Sequence, residues 1–199
     1  MKITVVYLAL LIPIFVACKQ NKTNTSAAIE TQSDKEKIDS FFPVTSFLKG
    51  QLAILDSLPV TPLRTIVVND KTDSAWVKRE ELHSLLQPFF FTEIKETNLT
   101  DLFRETSFKD QSLNAITFTY DPKKRLPDSL LLTHWDVYIN PEPGTINKIY
   151  MVKKGVENNK NYIQQLTWET DKWAKIVTIF TDEKEKPLSI KEDKISWSF

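Results

Sequence analysis

The sequence predicts an α+β fold: two to three N-terminal helices with one short strand, packed on a curved antiparallel sheet of about six meandering strands. Three observations predict it. Apolar residues recur at near-helical spacing after residue 41. Beyond about residue 107 the spacing changes to alternation, the period of a half-buried strand. The breaks between the alternating runs are short and polar, as between antiparallel neighbours.

Val44, Phe47, Leu48, Leu52, Leu55 and Leu58 set a helix over 44–57, stopped by Pro59. The β-branched run within 64–69 reads as a strand. Leu82, Leu85, Leu86 and Phe89 stripe a second helix over 77–86, ended by Pro88. Leu99, Leu102 and Phe103 suggest a short third helix over 97–104. Strands are expected at 113–120, 130–139, 146–153, 162–169, 173–181 and 189–198, with turns such as Pro141-Glu142-Pro143-Gly144 between them. Helices that precede a sheet need one of its faces to cover their apolar stripes. A long antiparallel sheet twists and curls, so it is expected to wrap partly around them.

Composition excludes several classes. Lys plus Arg equals Asp plus Glu, 26 of each, so no basic stripe attracts nucleic acid. Only three glycines occur, at 50, 144 and 155, too few and too scattered for a phosphate-binding loop. The single cysteine, Cys18, cannot form an intramolecular disulfide. No cofactor-binding motif is present, and with two histidines in the chain, His83 and His134, a metal site would lack a clear third ligand.

The first residues carry the strongest signal. Lys2 precedes an almost unbroken apolar run from Ile3 to Phe15, the length of an export-signal core and short of the roughly 20 residues that span a bilayer. Phe15-Val16-Ala17-Cys18 follows directly. It resembles the lipobox of bacterial lipoproteins, with Phe15 where the family prefers leucine. The resemblance implies that residues 1–17 are removed and that Cys18 is acylated to become the new amino terminus. Lys19, not aspartate, follows the cysteine, and the family's sorting habit then implies the outer membrane. Two or more acyl chains anchor stably, at about 0.8 kcal/mol per buried CH₂. Residues 18–40 are polar and lack aromatics, so they cannot bury enough surface to fold. They read as a flexible tether spanning roughly 25 Å. Residues 41–199 read as one globular domain.

Candidate sites within that domain are few. His134 and Asp136 are two apart on an expected strand, so both point to one face, with Trp135 and Val137 on the other. The pair fits a general base with its orienting carboxylate, or two ligands of a metal, but also a hydrogen-bonded pair on the solvent side. Glu80, Glu81 and His83 share the second helix, but not in the order of a zinc protease. They read as a solvated face. Trp168 and Trp173 flank the turn Glu169–Lys172. Across a tight hairpin they would face each other as a cross-strand staple; if exposed, they would form an aromatic platform for a sugar, a lipid tail or a protein. Phe89-Phe90-Phe91 reads as a buried connector or as a hydrophobic contact patch.

The sequence therefore points to a membrane-anchored, periplasm-facing lipoprotein, non-enzymatic, holding a hydrophobic ligand or docking on an envelope protein. An envelope hydrolase using carboxylates or His134 with Asp136 is an alternative. A purely structural lipoprotein is another.

Overall fold

The computed structural model describes residues 40–110, 114–182, 184 and 186–197. The signal segment, Cys18 and nearly all of the tether lie outside the described residues.

Helix α1 (Val44–Ser57) has the expected bounds. It is followed by strands β1 (Leu63–Val68) and β2 (Lys71–Trp76), and by helix α2 (Arg79–Leu86), which runs into a short 3₁₀ turn. Seven more strands follow among the described residues. They are β3 (Phe103–Asp110), β4 (Ala115–Pro122), β5 (Leu132–Ile139), β6 (Ile146–Glu157), β7 (Lys160–Glu169), β8 (Trp173–Thr181) and β9 (Pro187–Ser196).

The expected class, a six-strand sheet carrying two to three helices and a separate short strand, is corrected. The described residues are β-rich: they form one antiparallel sheet of nine strands, in the order β2-β1-β9-β8-β7-β6-β5-β4-β3, with two short helices. Two strands were not expected, and each has a local cause. β2 is exposed along its whole length, so no apolar face marks it. Its pairing comes from Asn69 and Asp70, both at positive φ (46° and 68°), which make the two-residue turn that joins twisted antiparallel strands. The third helix expected over 97–104 is absent. Leu99 and Phe103 are both buried, as successive residues of a helical face would be. They belong to a single turn, closed by the Phe103 amide on the Leu99 carbonyl at 3.0 Å, and Phe103 then opens β3. The expected short strand is β1, which joins the main sheet on β9, with Leu63 opposite Ser196.

Strand alternation separates the two faces. Trp135, Val137, Ile149, Met151, Leu166, Trp168 and Ala174 are buried on one of them. They form one cluster with Val44, Leu48, Leu52 and Leu55 of α1 and Leu82 and Leu86 of α2. Each such side chain stabilises the fold by about 1.5–3 kcal/mol on burial. The entry to α1 is pinned from the side: the buried Thr45 accepts the Ile94 amide on its hydroxyl at 2.7 Å. We refer to this side as the helix-bearing face and to the other as the open face.

Candidate functional site

His134 and Asp136 of β5 lie on the open face, while Trp135 and Val137, which alternate with them, are fully buried on the other side. The register with β4 sets Thr119 directly opposite Asp136. Thr119 Oγ1 donates to Asp136 Oδ1 at 2.7 Å, and Tyr138 OH donates to Oδ2 at 3.3 Å. A register slip between Leu132 and His134 bends β5 just before the imidazole. The ring then bridges two carboxylates: Nδ1 is 2.9 Å from Asp121 Oδ1, and Nε2 is 3.1 Å from Asp136 Oδ2. Asp121, on β4, was not singled out from the sequence. Only the pairing of β4 with β5 brings it to His134.

The electrostatics follow from this geometry. The hydrogen bond to Asp136 is the main reason that the His134 pKa is raised, with Asp121 adding to it and burial working against it. Burial works to raise the Asp136 pKa, but the bonds from His134 and Thr119 outweigh it and the carboxyl is held below its usual range. An imidazole bonded to a carboxylate at each nitrogen is held as the imidazolium, so it has no free lone pair with which to accept a proton. A charged His134 stabilises the fold fully below its ordinary pKa of 6.5, and this contribution is lost as pH rises through its raised value. Asp136 contributes above its ordinary 3.8, and its contribution is lost as pH falls through its lowered value. The cluster is therefore most stabilising between those limits. We expect His134→Gln to cost about 1–2 kcal/mol at pH 6 and much less at pH 9, read by urea unfolding at both pH values. An equal cost at both would show that the charge is not what holds the cluster.

The two tryptophans do not face each other. Trp168 stands opposite Ala174, and Trp173 opposite Glu169, so the indoles are on opposite sides of the sheet. Trp168 is wholly buried against Phe89 and Trp197, with ring centroids 5.4 and 5.3 Å away. It is a core residue. Trp173 is on the open face, half-buried, with Lys194 Nζ 5.0 Å and Lys175 Nζ 5.9 Å from its ring centroid.

Trp173 belongs to a row that crosses the open face. Tyr138 stands opposite Lys148, Lys148 opposite Glu169, and Glu169 opposite Trp173. Beyond Trp173 come Ser196, Leu63 and, on the edge strand, Trp76, which is 69% exposed. Lys148 Nζ sits 3.9 Å from the centre of the Tyr138 ring. Sequence reasoning missed Trp76, Tyr138 and Lys148 because their alignment depends on strand order.

The remaining candidates are scattered. His83 Nε2 pairs with Asp56 Oδ2 at 2.8 Å between α2 and α1. Phe89 is buried, Phe90 half-buried and Phe91 exposed. A groove of about 450 Å³ runs between the loop 126–130 and the paired ends of β6 and β7, and neither His134 nor Asp136 lines it. Among the described residues, no three His, Cys, Asp or Glu side chains are grouped to hold a metal ion. No family model, no curated protein and no solved structure matches the chain.

Proposed function

We propose that this is a lipid-anchored accessory protein of the bacterial envelope, whose body works by binding, not by catalysis, through the open face of its sheet. The observation that carries the reading is that face. Helices and core side chains fill one side of the sheet, while the other presents half-buried rings and lysines and an exposed tryptophan, with no layer over them among the described residues. We read this single-layer face, with its aromatic rings, as the contact surface. The packing of Trp135, Trp168, Phe89 and Phe103 on the helix-bearing side favours an external partner over an enclosed hydrophobic ligand. A hydrolase built on His134 has one observation in its favour, the second carboxylate at Asp121. The same contact argues against it, because it ties up the nitrogen a base would need.

The anchor rests on Phe15-Val16-Ala17-Cys18. Cys18→Ser is expected to move the protein from the membrane pellet to the soluble fraction with an unchanged circular dichroism spectrum. A variant that stayed in the pellet would sink the anchor. The binding face is tested by a photo-crosslinking residue at Ser74, on the open face, against one at Asp128, in an exposed loop. Adducts to an envelope component are expected from position 74 and not from position 128; the reverse pattern would overturn the reading.

A further inference from the structure

We propose that the ring-and-lysine band across the open face binds an anionic polysaccharide laid perpendicular to the strands. This rests on the open face being the binding face, and it names the class of partner. Tyr138 is on β5, Trp173 on β8 and Trp76 on β2, and the sheet order places each ring three strands from the next. At about 4.8 Å per strand the rings recur every ~14 Å. No single sugar reaches two such platforms, whereas an extended chain of several sugars does.

The groups around the rings fit a polyhydroxylated anion. The adjacent row carries the hydroxyls of Tyr150, Thr167, Thr65 and Ser74, interrupted by Lys175 and Lys194. Lysines stand beside two of the three rings, Lys148 at Tyr138, and Lys175 and Lys194 at Trp173. Lys175 also faces Glu192 at 3.6 Å; of the acids in these two rows, Glu169 is engaged by Lys172 at 2.8 Å, and Asp136, opposite Tyr150, by His134 at 3.1 Å. Among the described residues, neither Lys148 nor Lys194 has an ion-pair partner. The band therefore offers flat apolar rings for stacking, hydroxyls for hydrogen bonding and a surplus of positive charge. A protein interface is depleted of lysine at its core, where this band carries Lys148, Lys175 and Lys194.

The test is affinity electrophoresis of the full chain in mild detergent, through gels containing alginate, a carboxylated glycan, or dextran, an uncharged one. Retardation is expected in alginate and not in dextran, and it should fall with added salt. Trp173→Ala and Trp76→Ala are each expected to weaken retardation about tenfold, and Lys194→Gln to weaken it and flatten its salt dependence. Trp76 is so exposed that its variant keeps the test alive if Trp173→Ala misfolds. Equal retardation in dextran would overturn the inference. So would alginate binding untouched by both tryptophan variants, which would be ion exchange by lysines alone. No retardation combined with a protein adduct at position 74 would remove the polysaccharide and leave the binding face. No retardation and no adduct would remove both.

Discussion

Trp168→Ala is expected to destabilise the domain by about 3–5 kcal/mol, the range for emptying a large aromatic site in a packed core. A domain of this size has a total stability of about 5–15 kcal/mol, so the variant should lose much of its melting transition. Trp168 joins three parts of the fold. It stands on β7, meets Phe89 edge-on at an interplanar angle of 84°, and lies beside Trp197, just past the end of β9. Truncation therefore loosens the seat of α2 and the end of the chain together. Trp168→Phe is the control. Among the described residues the indole nitrogen has no hydrogen-bond partner, so phenylalanine sacrifices no polar contact and leaves a smaller cavity, and it should cost about 1–3 kcal/mol, less than alanine. Chemical denaturation of the two variants checks both values. A small loss for Trp168→Ala would mean that the site collapses around the smaller side chain.

The second large effect concerns Lys153, which no sequence signal singled out. It stands on β6 facing the helices, almost wholly buried. Its amine donates to the carbonyls of Pro88 and, at 2.6 Å, Phe91, which end the 3₁₀ turn after α2. Burial pushes its pKa down from 10.5 to about 8. Between those pH values the unfolded chain holds a proton that the folded chain has released, so stability rises with pH across the window. The full gain is about 3 kcal/mol. The neutral amine keeps two N–H groups, one for each carbonyl, so the contact survives deprotonation. Lys153→Met lacks both the titration and the donors. The stability difference between the native protein and this variant should widen by about 2–3 kcal/mol from pH 7.5 to 10.5, followed by urea unfolding. A constant difference would show that water reaches the amine.

Much of this was legible in the chain, wherever a local period carries the information. The spacing of Leu48, Leu52 and Leu55 is enough for α1, and Trp135 and Val137 inward leaves His134 and Asp136 outward without knowledge of any partner strand. What was not legible depends on non-local pairing. Lys71–Trp76 has no apolar face because nothing covers it. Leu99 and Phe103 have helical spacing because a single turn and a helix bury the same positions. Asp121 reaches His134 only through a hairpin whose connecting segment holds no period. The even spacing of Tyr138, Trp173 and Trp76 exists only in strand order, since along the chain Trp76 comes first. Trp168 and Trp173 show the opposite hazard. A turn was visible, but their places relative to it put them on opposite sides of the sheet.

The pairing of β1 with β9 bears on how the molecule is made. Of the strands from β3 to β9, each after the first lies beside the one before it in the chain. The β1–β2 hairpin comes earlier in the chain, yet it has no neighbour to lie against until the last strand is in place. A two-stranded hairpin alone is marginal in water, and closing so long a loop is entropically slow. Completion of the sheet is thus expected to wait on β9. Until that final strand arrives the growing meander shows a bare edge, the most aggregation-prone feature a nascent sheet can have. Loss of β9 would remove one strand and detach two more, β1 and β2, and a quality-control protease would meet an unpaired hairpin at one end and an open ladder at the other.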